Sequence, residues 1–206
     1  MTQCTTGLMA PFSLPAVYRA AQSAVGAAHV RRELVTSYLR PRSGDKLLDI
    51  GCGTGDLLTE LPDVTYVGFD LSSAYVAAAR RRFGGRGRFF TGSVDTVEPR
   101  DLGQFDLVLT LGVLHHLNDT QAKRTLALAR GVLRKGGRLV TIDPVLSRDQ
   151  SRIARFLVSR DRGRNVRSPN EYLDLAQTVF PWVESHQRHD LLRMPYSHAI
   201  LDCLAA

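Results

Sequence analysis

Cysteine is scarce in this chain, occurring only as Cys4, Cys52 and Cys203. Three scattered thiols cannot all pair with one another and show no metal-ligand spacing, so neither a disulfide framework nor a bound metal is expected. They suit a reducing compartment, and the cytoplasm is the expected location. Long apolar runs are missing too, so no membrane span is expected. Met1 to Leu14 lacks the basic-then-apolar order of a secretory leader. Aromatic residues make up 7% of the chain, thin for a platform that stacks nucleic-acid bases. Internal repeats, low-complexity tracts and linkers are absent as well. One domain over residues 1–206 is therefore expected, long enough to bury its own core.

Acidic charge is in deficit: 27 Lys and Arg stand against 20 Asp and Glu, a net charge of +7. The excess is local. Between Pro144 and Arg167 lie seven arginines, including Arg162, Arg164 and Arg167, against Asp149 and Asp161. A solvated helix face and loop is one reading. The sharper reading is a seat for an anionic acceptor, because a guanidinium offers a planar fork to carboxylate or phosphate.

The informative stretch is Lys46-Leu47-Leu48-Asp49-Ile50-Gly51-Cys52-Gly53-Thr54-Gly55. Its first half reads as a short buried strand. Its second half is a turn with glycine at alternate positions, followed by a helix start at Asp56. Strand, glycine turn and helix make the nucleotide-binding corner of a doubly wound sheet. A dinucleotide turn needs a third glycine where Asp56 stands, and a P-loop needs a lysine that does not follow Gly55. An acid two residues before the first glycine suits a ligand carrying positive charge.

Further strands follow. Val64 to Asp70 reads as a second strand, and Asp70 falls about 20 residues past the glycine turn, where an acid meets a ribose. Ser72 and Ser73 cap a helix to Phe83. Arg88 to Thr91 reads as a third strand. Phe105 to Gly112 is a near-continuous apolar run and reads as a central parallel strand. Asn118 caps a helix to Leu133, and Lys135-Gly136-Gly137 turns it into a strand from Arg138 to Asp143. Ser147 to Ser159 can form a helix with Ile153, Phe156 and Leu157 inward. Ser168-Pro169 starts another. Trp182 to Asp190 and Tyr196 to Leu204 alternate as an antiparallel pair.

Asp49-Ile50-Gly51-Cys52-Gly53-Thr54-Gly55 resembles motif I of the class I S-adenosylmethionine-dependent methyltransferases. Thr110-Leu111-Gly112-Val113-Leu114-His115-His116-Leu117 resembles motif IV and its extension in the group containing ubiquinone, menaquinone and natural-product O-methyltransferases. Leu133-Arg134-Lys135-Gly136-Gly137-Arg138-Leu139 is similar to the family's entry to strand 5. The resemblance covers Lys46 to Asp143 motif by motif. It implies an α/β, Rossmann-like three-layer sandwich with a seven-stranded sheet ordered 3-2-1-4-5-7-6, strand 7 antiparallel. It also implies a helical lid over residues 1–44 ahead of a core over 45–206, with Tyr18 and His29 as lid residues facing the acceptor.

By the same resemblance the cofactor is S-adenosylmethionine, leaving as S-adenosylhomocysteine. It would meet Asp49, Gly51, Cys52, Gly53, Asp70, Leu71, Leu111 and Gly112. The family places an acid after strand 3 for the adenine amino group. Here that position is Ser93, so Ser93 and the Val94 amide take the role ahead of Asp95. The acceptor-facing set is Tyr18, His116, Arg162, Arg164 and Arg167.

His115 sits just past the end of strand 4 and Asp143 ends strand 5, so the two can pair as base and orienting acid. The alternatives are a packing role for His115 or His116 and a capping role for Asp143. The expected reaction is O-methylation of a small, anionic or lipid- or sugar-linked metabolite by a monomer or homodimer, without nucleic acid as partner. An RNA or protein methyltransferase, or a non-methylating cyclase or scaffold of the same fold, is the alternative.

Overall fold

The computed structural model describes residues 26–93, 102–161 and 163–205. At its centre is a seven-stranded sheet in the order β3-β2-β1-β4-β5-β7-β6. The strands are β1 (Lys46–Ile50), β2 (Thr65–Asp70), β3 (Gly87–Thr91), β4 (Phe105–Leu111), β5 (Leu133–Pro144), β6 (Trp182–Arg188) and β7 (His198–Leu204). β3, β2, β1, β4 and β5 run parallel, and β7 runs antiparallel between β5 and β6. This is the expected order and the expected reversal.

Alternation along the strands sends side chains to two cores, one on each face. On β1, Leu48 joins a cluster with Val108, Leu126, Ala129, Tyr172 and Phe180. Its neighbour Leu47 joins Leu39, Tyr66, Val76, Leu107 and Ile200 on the other face. Helices α3 (Asp119–Val132) and α5 (Pro169–Gln177) cover the first face, and α1 (Ala27–Glu33) and α2 (Ser73–Phe83) the second. The result is a three-layer sandwich.

The helix starts follow from their caps. Ser72 accepts from Tyr75 N at the head of α2. Asn118 with Gln121 and Ser168 with Glu171 form reciprocal capping boxes ahead of α3 and α5, each satisfying two otherwise orphaned donors. Gly26, in the left-handed region at φ 89°, opens α1. α1 then widens, with Arg40 N reaching back to Val35 O at 2.8 Å.

Two expectations fail. After the glycine turn there is only a single 3₁₀ turn, Asp56–Thr59, with no full helix; Pro62 follows closely, and Asp56 is held by Arg82. Helix α4 is shorter than expected, Arg152–Ser159, and is turned the other way. Ala154 and Val158 are buried, whereas Ile153 and Phe156 are 62% and 56% exposed. The small residues let the helix lie close to the body, and the guanidinium of Arg160 packs over the outward Phe156 ring at 4.9 Å.

Candidate functional site

The carboxyl ends of the parallel strands gather most of the expected residues along one edge. Asp49 is the fourth residue of β1, Asp70 the last of β2, Leu111 the last of β4 and Asp143 the eleventh of β5. Ligands bind along this edge in open α/β sheets.

On the β1–β2 side the glycine turn is held by Asp70. Its carboxylate accepts from Gly53 N at 2.9 Å and Ser72 N at 2.8 Å, joining the turn to the head of α2. Gly51 and Gly53 lie in the left-handed region, at φ 84° and 54°. A Cβ on Gly51 would fall 2.4 Å from Val113 Cγ2, whereas one on Gly53 meets nothing within 4 Å. The turn is therefore closed against strand 4's extension at Gly51 and open at Gly53, where a ligand can approach the backbone.

Asp49 is buried at 2% exposure. Its Oδ2 accepts from Tyr66 Oη at 2.6 Å, and its Oδ1 has no partner among the described residues. Burial pushes its carboxyl up to about 7, against the pull of Tyr66 and with the help of the Asp70 charge. A buried carboxylate oxygen without a partner is costly, and a cationic ligand group would satisfy it. Cys52 is also buried, and burial drives its thiol well above the ordinary range. Leu71 is exposed; Ser93, Leu111 and Gly112 are half-buried at the same edge. Val94 lies outside the described residues.

On the β4–β5 side, His115 and Asp143 meet. His115 Nδ1 lies 2.8 Å from Asp143 Oδ1, and the His115 backbone N–H donates to the same oxygen at 3.1 Å. That fixes Nδ1 as the protonated nitrogen and turns Nε2 outward. Nε2 meets a residue missing from the sequence reading: Asp161 Oδ1, at 3.2 Å. Burial disfavours the charged imidazole, but hydrogen bonds and charge from Asp143 and Asp161 outweigh it and raise His115 to about 9. Burial likewise opposes ionisation of Asp161, and His115, Tyr196 and the Gly163 N–H overcome it, holding that carboxyl below the usual range. Two carboxylates on one imidazole make an imidazolium.

Asp161 is itself held. Tyr196 Oη donates to its Oδ2 at 2.5 Å and Gly163 N to its Oδ1 at 2.9 Å. Gly163 lies flat on the imidazole: a Cβ there would be 2.0 Å from His115 Cδ2. No other residue fits that seat without moving the loop. Asn165 N donates to His115 O at 3.0 Å and fastens the loop further. Beside Tyr196 lies His198, its ring 5.2 Å away, buried, with Nδ1 lacking a hydrogen-bond partner among the described residues. Burial pulls His198 down to about 4, so it is neutral.

Arg167 does not take the place expected of it. Arg167 is 7% exposed and its guanidinium is spent on the protein. It donates to the carbonyls of Leu114 (3.0 Å), Leu117 (2.8 Å) and Asn165 (3.1 Å) and to Asp119 (2.7 Å). It clamps the turn that carries His115 and is not a free anion seat. Arg164 is exposed, and Arg162 lies outside the described residues. Tyr18 is also outside them. His116 is half-buried, with its ring centroid 4.0 Å from that of His115.

Nothing in the local sequence marked Asp161, Gly163, Tyr196 or His198 for this place. The available signal was an aspartate followed two residues later by a glycine, hidden among arginines. Among the described residues no group of three or more His, Cys, Asp or Glu could hold a metal, and no helix is long and apolar enough to cross a membrane.

Against known proteins, the family described as "Methyltransferase domain" matches residues 48–139. The chain is 33% identical over 146 residues to an O-methyltransferase, cnsE, of Penicillium expansum, covering 62% of this chain and 52% of that protein. It is 36% identical over 112 residues to the 27-O-demethylrifamycin SV methyltransferase of Amycolatopsis mediterranei, covering 51% of this chain and 40% of that one. The chain thus spans about half the length of these relatives, or less. Human N-acetylserotonin methyltransferase, solved in complex with SAM, superposes with a TM-score of 0.70 at 20% identity, over 96% of this chain and 59% of that one. That likeness is one of fold.

Proposed function

We propose that this chain acts as a class I S-adenosylmethionine-dependent methyltransferase and moves a methyl group onto an oxygen of a small, acidic metabolite, with His115 as the base. The observation that supports this most is the His115–Asp143 pair at 2.8 Å, set at the strand edge beside the open glycine turn. The relatives named for O-methylation agree with it.

Residues on the β1–β2 side would hold the cofactor. The unpartnered Asp49 Oδ1 fits a cationic group, Asp70 fits the ribose hydroxyls, and the open face over Gly53 admits the ligand to the backbone. Ser93, Leu71, Leu111 and Gly112 would line the remainder. Bound S-adenosylmethionine supplies a methyl group already activated by its sulfonium.

The chain's own contribution is position and proton transfer. Asp143 keeps the proton on Nδ1, leaving Nε2 to accept the proton of an acceptor hydroxyl. As that proton arrives, Asp143 stabilises the imidazolium, and burial of the pair at 5% and 1% exposure keeps water from competing. Asp161 holds Nε2 in this structure and must leave it before an acceptor oxygen can approach. Tyr18, His116 and the Arg162–Arg164 loop would face the acceptor beyond this point. A cytoplasmic location suits the buried, unpaired Cys52 and Cys203.

The test is His115→Ala with affinity for S-adenosylmethionine measured beside turnover. We expect kcat to fall by about 10²–10⁴-fold with cofactor affinity unchanged. Turnover close to that of the unmodified protein would end the base assignment. Binding that weakens steeply with salt on added RNA would point instead to a nucleic-acid acceptor.

A further inference from the structure

Asp161 closes the β4–β5 side of the site. Its carboxylate lies in front of the one imidazole nitrogen that Asp143 leaves outward, receives a phenolic O–H on its other oxygen, and arrives on a loop leaving the end of α4. Asp161 N still bonds to Val158 O at 3.0 Å, so its backbone continues the last turn of α4. Were the loop to lift, the Gly163 donor would leave with it. His115 Nε2–H and Tyr196 Oη, on two different elements of the body, would remain as donors pointed at one vacated position. The neutral ring of His198, its Nδ1 without a partner among the described residues, lies beside Tyr196.

We propose that Asp161 is a resident stand-in for the acceptor: the place its carboxylate takes between His115 Nε2 and Tyr196 Oη is the seat of the acceptor's oxyanion. This rests on the reading that the acceptor oxygen reaches His115. It adds the substrate class, an oxygen that is anionic when seated, either a carboxylate or the phenolate or enolate left after proton transfer.

Charge supports the assignment. The groups facing His115 are Asp143 from β5, Asp161 from the loop, His116 on its own turn, His198 from β7 and, behind the turn, Arg167. With His198 neutral and Arg167 matched by Asp119, His115 with Asp143 is neutral as a pair. The seat then holds one further negative charge, supplied here by Asp161. An acceptor oxyanion replaces it charge for charge. An alkyl hydroxyl that stays neutral would leave the loop carboxylate displaced without compensation.

The test uses ¹⁵N-histidine NMR on Asp161→Ala, with acetate and 4-nitrophenol as probes and no cofactor. In the variant the His115 titration midpoint should fall by about one pH unit or more, the ordinary effect of removing an adjacent carboxylate. Added acetate should raise it again in a saturable way, while acetamide should not, and in the unmodified protein acetate should do little. Tyr196→Phe in the same background should weaken acetate binding several-fold.

Bound 4-nitrophenol absorbing as its phenolate below its free titration point marks a phenol or enol acceptor. Response to acetate alone marks a carboxylate acceptor. An unmoved midpoint in Asp161→Ala, or a moved midpoint with response to neither probe, overturns the proposal; Asp161→Asn, which keeps hydrogen bonding, guards against a folding defect. If instead acetate binds as described but His115→Ala turns over normally, the base reading fails and the seat stands.

Discussion

Tyr66 donates to one oxygen of Asp49 at 2.6 Å and leaves the other, also buried, without a partner among the described residues. The arrangement is unfavourable on its own and favourable with a cation beside it. Because burial lifts the carboxyl to about 7, above its unfolded value, the sign follows. The free protein loses stability from this group as pH rises from about 4 to 7, since the folded state holds the proton longer. A cationic ligand wants the ionised form, so cofactor affinity should fall by up to about tenfold per pH unit as pH drops below 7. Asp49→Asn should raise the Tm of the free protein at pH 8 by a few degrees, on the order expected for one relieved buried charge, and at the same time weaken S-adenosylmethionine binding. Calorimetry with and without ligand reads both; a variant that binds as before would remove Asp49 from the cofactor site.

The rate profile should report the two carboxylates on His115. A base works when neutral, so kcat/KM should rise with pH, with a midpoint near the value of about 9 that Asp143 and Asp161 impose on the free protein. In Asp161→Asn the remaining carboxylate holds less, and the midpoint should move to lower pH. A profile that does not change between the two proteins would show that Asp161 does not govern this imidazole in solution.

Arg167 should behave as part of the scaffold. Its guanidinium ties three carbonyls and Asp119 together, and Arg167→Gln would leave those carbonyls short of donors. A loss of about 2–4 kcal/mol is expected in denaturant unfolding, with both substrates' binding impaired through the displaced His115 turn. Arg164→Gln, at an exposed position, should stay within about 0.5 kcal/mol. Equal stability in the two variants would contradict the clamp.

The geometry of the proposed cofactor half was legible because its signals are local. Asp49, the three glycines and Asp70 lie within about 20 residues, and each glycine is needed for its own backbone angle or contact. The sheet order came with the family resemblance that these motifs carry. The acceptor half depends on contacts across the chain: Asp161 reaches His115 over 46 positions and Tyr196 reaches Asp161 over 35. Charge counting drew attention to arginine in that segment, yet the residue that meets the imidazole is one of its two aspartates. Periodicity found α4 but not its orientation. Ile153 and Phe156 share a face as read, and that face points outward because Ala154 and Val158 let the helix approach more closely on the other side.

The contact between Gly51 and Val113 has a consequence for experiment. Val113 fills the space that a side chain at Gly51 would need, and it stands two residues before His115. The wall of the proposed donor pocket and the support of the proposed base are one surface. A Gly51 substitution would push on the turn that carries His115 as well as on any ligand over the glycine turn. Lost turnover in such a protein would say little about which substrate had been shut out.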